Sequence, residues 1–160
     1  MALLGAEQFN GHILEPACGK GHISKLLVNK FGAPNVTSSD IGDYGYGMPE
    51  VDFFTSYAEQ THQNIITNPP FSLTLEFAKH SLLVARDKVA LFLRIQFLES
   101  KRRNEFLINS PLKTVYVFNG RVSTFPFDKP EKGKSGTAMH AWFVWEQKYI
   151  GQPIIKWLHI

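Results

Sequence analysis

The 160 residues carry a net charge of +3 and are 44% hydrophobic and 13% aromatic, which excludes a disordered chain and leaves enough length for one buried core. A single cysteine, Cys18, excludes an internal disulfide framework, and the longest apolar run, Val89 to Leu93, stops at Arg94, far short of a membrane span. No signal-peptide pattern opens the chain, so a cytoplasmic protein without a membrane partner is expected, and the mild positive charge permits an anionic partner without requiring one.

Met1 to Gly11 ends in Phe9-Asn10-Gly11, which reads as the tail of a helix entering a turn. His12 to Leu14 begins a buried strand that runs into Glu15-Pro16-Ala17-Cys18-Gly19-Lys20-Gly21. Ile23, Leu26, Leu27 and Phe31 then recur at helical spacing until Gly32-Ala33-Pro34 closes the helix. Val36 to Ser39 is a second strand with Asp40 at its carboxyl end, and Ile41 to Glu50, rich in glycine and without periodicity, reads as a surface loop. Val51 to Phe54 reads as a brief strand or strand-like edge, and Ser56 as the cap of a short helix through His62. Asn64 to Thr67 is the next strand. It must stop at Asn68-Pro69-Pro70-Phe71, because proline has no N–H with which to continue a ladder.

Beyond that turn, Ser72 is the candidate cap of a helix to about Arg86 with an apolar face of Leu75, Phe77, Ala78, Leu82 and Leu83. Lys88 to Ile95 is almost continuously apolar, as expected of a strand covered on both faces. Glu99 to Asn109 reads as a helix with Phe106 and Leu107 inward and Lys101, Arg102 and Arg103 outward. Thr114 to Phe118, Met139 to Trp145 and the tail Pro153 to Ile160 are further strands, with Trp142 and Trp145 structural. Asn119 to Thr137 is a polar, basic loop longer than packing requires. Strands alternate with helices from His12 to Asn109, the pattern of a doubly wound, mostly parallel α/β sheet in one domain spanning 1–160. The last strands follow without a helix between them, so an antiparallel C-terminal edge or hairpin is expected.

In such a sheet ligands bind beyond the carboxyl ends of the strands, where the glycine loop, Asp40 and Asn68 to Phe71 all fall. Gly19 and Gly21 let backbone approach a ligand closely, and Asp40 is placed to accept hydrogen bonds from both hydroxyls of a ribose. A dinucleotide would use the same carboxylate, although Gly19-Lys20-Gly21-His22-Ile23-Ser24 lacks the third glycine of that fold. Asn68 supplies a neutral oxygen acceptor, Pro69 a carbonyl on a backbone of fixed φ, and Phe71 a flat apolar face, together a clamp for a planar molecule bearing an amino group. The same four residues also suit an ordinary strand-ending turn.

Glu15-Pro16-Ala17-Cys18-Gly19-Lys20-Gly21 followed by Asn68-Pro69-Pro70-Phe71 resembles the amino-methyltransferases that modify adenine in DNA with S-adenosylmethionine, especially the small phage-type members. The resemblance covers nearly the whole chain. It implies a Rossmann-like methyltransferase fold, S-adenosylmethionine as cofactor, and DNA as partner with RNA as an alternative. By it, Glu15, Pro16, Ala17, Cys18, Gly19 and Gly21 would hold the methionine and sulfonium side of the cofactor. Asp40 would hold the ribose, with Ile41 beside it in the same site, and Asp52 and Phe53 would contact the cofactor's adenine. Asn68, Pro69, Pro70 and Phe71 would be the catalytic tetrapeptide. Two departures from the family pattern are expected: only Met1 to Gly11 precede the first strand in these 160 residues, where members have a longer segment near the methionine end, and these residues hold no separate target-recognition domain.

The adenine amino group is a poor nucleophile because its lone pair is delocalised into the ring. Acceptors at the Asn68 side-chain oxygen and the Pro69 carbonyl can hold both amino hydrogens and favour a pyramidal nitrogen, so catalysis would be positioning and electrostatic preorganisation, with Phe71 stacked on the base. A base in a duplex must be flipped out to reach such a clamp. A clamp of this kind equally suits adenine in RNA or a glutamine amide of a protein, and a non-catalytic nucleic-acid-binding module is the reading from a different class. Lys129, Lys132 and Lys134, with Phe125 and Phe127 nearby, are the candidate nucleic-acid contacts, whereas Lys101 to Arg103 read first as a solvated helix face. Six scattered histidines and one cysteine give no metal-ligand spacing, so no metal is expected, and Cys18 reads as a small residue in a tight loop.

Overall fold

The computed structural model describes residues 1–120 and 138–159. Seven strands among these residues form one sheet: β1 (Ile13–Glu15), β2 (Val36–Ser38), β3 (His62–Thr67), β4 (Ala85–Arg94), β5 (Leu112–Phe118), β6 (His140–Glu146) and β7 (Ile154–Leu158). Their order is β2-β1-β3-β4-β6-β5-β7. Every adjacent pair is parallel except those made by β6, which runs antiparallel between β4 and β5. The expected mostly parallel α/β sheet with an antiparallel C-terminal side is therefore observed, and the tail strand β7 closes the edge parallel to β5.

The near-continuous apolar run of β4 reflects two covered faces. Side chains alternate along a strand, so Val89, Leu91 and Leu93 enter one core layer while Ala90 and Phe92 enter the other. Strand β6 divides in the same way, with Ala141, Phe143 and Trp145 on the first face and Trp142 and Val144 on the second. Leu75, Phe77 and Ala78 of α4 (Thr74–Val84) cover the first face, joined by Phe106 and Leu107 of α5 (Lys101–Asn109). Leu3 of α1 (Leu3–Ala6), Phe9, and Leu27 of α2 (His22–Phe31) cover the second. Trp142 and Trp145 are 3% and 0% exposed, structural as expected, and the Trp145 indole N–H donates to Ser110 Oγ at 3.0 Å. The amino-terminal segment is anchored by Glu7, which accepts from Lys88 Nζ and from the Tyr116 hydroxyl at 2.7 Å.

Several local expectations are corrected. Val51 to Phe54 is not a strand: Asp52 caps a short helix α3 (Phe53–Ser56), its Oδ1 accepting from Phe54 N–H at 2.9 Å. Ser56 ends that helix and caps nothing, and β3 begins already at His62. Ser72 caps no helix either, because Phe71–Leu73 is a 3₁₀ turn that feeds α4 with Leu73 in the cap position. Helix α4 stops at Val84 and β4 starts at the next residue, since Ala85 is already extended. The candidate contacts Phe125, Lys129, Lys132 and Lys134 lie outside the described residues. Among the described residues no helix is long and apolar enough to cross a membrane.

Candidate active site

Strand order reverses between β1 and β3: β2 lies on one side of β1, and the later strands lie on the other. The carboxyl ends of the strands at such a reversal are the usual ligand position in a doubly wound sheet. The glycine loop leaves β1 there and Asn68 to Phe71 leave β3 there. Asp40 follows β2 on the same rim. His140 joins them, because the antiparallel β6 begins opposite Arg94, the last residue of β4.

Gly21 caps α2 with φ 76°, and a Cβ there would lie 2.4 Å from the Tyr46 ring, so no larger residue fits. Asp40, 8% exposed, braces the loop: Oδ2 accepts from Gly19 N–H at 2.8 Å and Oδ1 from Gly42 N–H at 3.1 Å. Residues Ile41 to Glu50 are more organised than a surface loop. Met48 N–H donates to Ser38 O at 2.9 Å, Asp40 N–H to Met48 O at 3.0 Å, and Val51 N–H to Asp40 O at 3.0 Å. Gly47 is needed where this segment crosses the glycine loop, since a Cβ would stand 2.7 Å from Ser38 O and 2.8 Å from Cys18 Sγ. The Cys18 thiol points to Tyr46 O at 3.5 Å, and burial pushes its pKa up to about 11, so it is an inert small residue in a tight loop.

Glu15 is 1% exposed and accepts a hydrogen bond from the Ser24 hydroxyl, which also lies 2.6 Å from Ser38 Oγ. Burial pushes the Glu15 pKa up to about 8, against the pull of the Ser24 hydrogen bonds, so the carboxyl is neutral at pH 7. The folded value exceeds the unfolded one, near 4.5. The associated stability is therefore complete below that lower value and is lost as pH rises toward 8, by about 1.4 kcal/mol per pH unit at most. Glu15→Gln keeps a neutral side chain and is expected to flatten the dependence of urea midpoint on pH between 5 and 8, leaving the variant the more stable protein at pH 8. Parallel profiles for the two proteins would place an ionised carboxylate at Glu15.

The acidic-aromatic pair expected at the cofactor's adenine is placed less openly. Asp52 is occupied as the α3 cap, and Phe53 is 3% exposed, stacked on Phe77 at 4.9 Å and edge-on to His80 at 4.7 Å. Ile41, by contrast, is 68% exposed directly after Asp40.

At the end of β3, Asn68 is exposed, and its side chain has no hydrogen-bond partner among the described residues. The Pro70 carbonyl accepts from Leu73 N–H at 3.0 Å and closes the 3₁₀ turn, while no such loop or turn bond is made to the Pro69 carbonyl among the described residues. Phe71 is 47% exposed, with the Arg94 guanidinium 4.3 Å from its ring centroid. His140, 5% exposed, stacks on Phe92 at 5.1 Å and lies 5.9 Å from Phe71. Neither of its ring nitrogens makes a hydrogen bond of ordinary geometry, although the Ala138 backbone lies near enough to favour the protonated ring. Burial and the Arg94 charge outweigh that influence and hold the imidazole below its usual range, so it is neutral at pH 7.

Solved structures of methyltransferases share this fold. The fold is a Rossmann-like methyltransferase fold. A predicted O-methyltransferase from Agrobacterium tumefaciens superposes with TM-score 0.65 at 11% identity over 99% of this chain and 84% of that one. The M protein of the type I restriction enzyme EcoKI gives TM-score 0.61 at 11% identity over 99% of this chain, which spans 46% of that one. Magnesium protoporphyrin IX methyltransferase from Synechocystis, with bound SAM, gives 0.53 at 12% identity over 91% and 73%. No protein-family model matches the chain, and no curated protein sequence matches it.

On this methyltransferase fold the structure brings Glu15 to Gly21, Asp40 and Asn68 to Phe71 to one rim, as expected from the order of the elements. Sequence reasoning missed Tyr46, Arg94 and His140. Arg94 did carry a signal, a cation ending a buried strand on the ligand side. His140 carried none, because its place depends on β6 running antiparallel to β4.

Proposed function

We propose that the chain transfers a methyl group from S-adenosylmethionine to the exocyclic amine of adenine in DNA. One observation carries this reading: a glycine loop, and an Asn68 without a side-chain partner among the described residues followed by an exposed aromatic, flank the same reversal of strand order on one rim. The methyltransferase-fold neighbours, one with bound SAM, support the cofactor, and the likeness to a restriction-enzyme M protein favours a DNA substrate.

The residues present fit the cofactor. A left-handed Gly21 packed against the Tyr46 ring, and Gly19, whose N–H donates to the Asp40 carboxylate, hold the loop backbone after β1 in a shape only glycine allows, with Asp40 beside it beyond the end of β2. In this reading Pro16, Ala17, Cys18 and the two glycines hold the methionine end, and Glu15 sets the loop from beneath through Ser24. Asp40 and Ile41 hold the ribose and adenine side, with Asp52 and Phe53 shaping the far wall. When bound, the cofactor supplies an electrophilic methyl group on a sulfonium. Asn68 Oδ1 and the Pro69 carbonyl accept hydrogen bonds from the two amino hydrogens of the target, which localises the nitrogen lone pair for in-line attack without a strong base, and the proton that the methylated nitrogen gives up passes to solvent. Pro70 fixes the turn that presents Phe71, whose ring fixes the plane of the base. The whole 1–160 chain acts as one catalytic unit, with Phe125, Lys129, Lys132 and Lys134 as further contacts to nucleic acid.

The direct test incubates the purified chain with labelled S-adenosylmethionine and separate pools of DNA, RNA and protein. Label recovered as N6-methyladenine from DNA is the expected result. Label confined to RNA or to glutamine amides of protein would replace the substrate, and no transfer to any pool, with the cofactor bound, would make the chain a binding module.

A further inference from the structure

Beside the Asn68 to Phe71 turn lies a half-open cleft of about 200 Å³ lined by Phe71, Thr74, Arg94, Gln96 and Arg103 over a floor of Leu93 and Phe97. It is formed where the start of α4 faces the 3₁₀ turn Ile95–Leu98 and the first turns of α5. Its lining holds two guanidiniums and no carboxylate.

The three consecutive basic residues of α5 separate in the structure. Arg102 is paired with Glu76 at 2.8 Å, and Lys101 is exposed on the helix surface. Arg103 alone of the three lines the cleft. Its Nη2 donates to Glu99 O at 3.1 Å, and its guanidinium lies 5.3 Å from the Phe97 ring centroid. Arg94 is held in the same way over Phe71. Neither arginine has a carboxylate partner among the described residues. Two planar cations, each oriented by an aromatic ring and neither paired with a carboxylate among the described residues, face one space beside the clamp.

This arrangement is matched to a tetrahedral anion. A guanidinium presents paired N–H donors to phosphate oxygens, and Thr74 and Gln96 add neutral polar groups at the cleft wall. The Arg94 contact adds a second element: its guanidinium covers one face of the Phe71 ring, so a base stacking on that face displaces it toward the cleft. The incoming base then stacks where the cation stood, while the cation is free to meet a phosphate. The His140 ring, 5.9 Å from Phe71 on the same rim and with no hydrogen bond of ordinary geometry among the described residues, offers further polar contact to the incoming nucleotide.

We propose that this cleft binds the backbone phosphate of the nucleotide whose base enters the Asn68 to Phe71 clamp, with Arg94 and Arg103 as the two ligands. The proposal rests on the nucleic-acid reading of the site and names the residues that engage the strand. Arg94 and Arg103 are positioning residues: they hold the sugar-phosphate so that the amino group meets Asn68.

The test measures binding of a fluorescent single-stranded oligonucleotide containing one adenine to the full chain, as a function of salt, together with cofactor affinity. Arg94→Gln and Arg103→Gln are each expected to weaken oligonucleotide binding severalfold and to lower the slope of log K against log salt by about 0.7, with the double variant losing about twice that. Cofactor affinity is expected to stay at the wild-type value. Arg94→Lys and Arg103→Lys keep the charge and are expected to restore the slope with a remaining loss of affinity, since a lysine lacks the planar fork. They also serve if a Gln variant fails to fold. A wild-type slope and affinity in the double Gln variant, or full wild-type affinity in the Lys variants, would overturn the cleft assignment while leaving the nucleic-acid reading intact. Wild-type protein that binds the cofactor but no oligonucleotide at any salt would overturn both.

Discussion

Asn68→Ala is expected to abolish most methyl transfer, by on the order of a hundredfold to a thousandfold in single turnover, while leaving cofactor affinity nearly unchanged. The reason lies in what Asn68 does not touch. Its side chain is exposed and bonded to no described residue, so its removal breaks no hydrogen bond among them. What is lost is an acceptor for an amino hydrogen, used only when the target base is in place. Single-turnover transfer to adenine-containing DNA at saturating cofactor separates this from a binding defect. Phe71→Ala should also impair transfer, through loss of base stacking worth about 1–3 kcal/mol, and Phe71→Trp should be tolerated because a flat face remains. Wild-type turnover in Asn68→Ala would reduce the tetrapeptide to a strand-ending turn.

Asp40→Ala is expected to have the largest effect on cofactor affinity and a measurable one on stability. Its two carboxylate oxygens accept from Gly19 N–H at 2.8 Å and Gly42 N–H at 3.1 Å, so they join the glycine loop to the segment that crosses it. Hydrogen bonds to a charged group contribute about 1.5–3 kcal/mol each, and truncation leaves both amides without their acceptor. The expected result is a loss of roughly 2–4 kcal/mol in urea unfolding and a fall of at least tenfold in S-adenosylmethionine affinity by calorimetry. Asp40→Asn retains one acceptor but turns an NH₂ group toward the second amide, and should fall between the two. An Asp40→Ala protein with wild-type stability and affinity would remove Asp40 from both roles.

The pairing of Asp40 with two amides changes what that residue means. At the end of the second strand an acidic residue reads as a ribose acceptor. In the structure it first organises the loops, and any ribose contact uses its remaining lone pairs. Glu15 is similar, a carboxyl that resembles a ligand-binding group by position yet is neutral and bonded to Ser24 beneath the loop.

Order and type of the main elements were legible in the sequence, because hydrophobic periodicity and backbone chemistry are local. The apolar run of β4 announced two covered faces, the prolines after Thr67 ended β3, and the glycines after Ala17 marked the turn into α2. Together they placed the glycine loop, Asp40 and the Asn68 turn on one rim. The short segments were not legible. At Val51 to Phe54 a single Asp52 side chain, accepting from Phe54 N–H, decided helix over strand, and four residues hold too little periodicity to reveal that. Only the tertiary structure decided the company each site residue keeps. Arg94 reaches Phe71 because β4 ends beside the turn from β3, and His140 reaches both because β6 inserts antiparallel beside β4. Such contacts join residues far apart in the chain, and their existence depends on strand order and register, which no local pattern of side chains encodes.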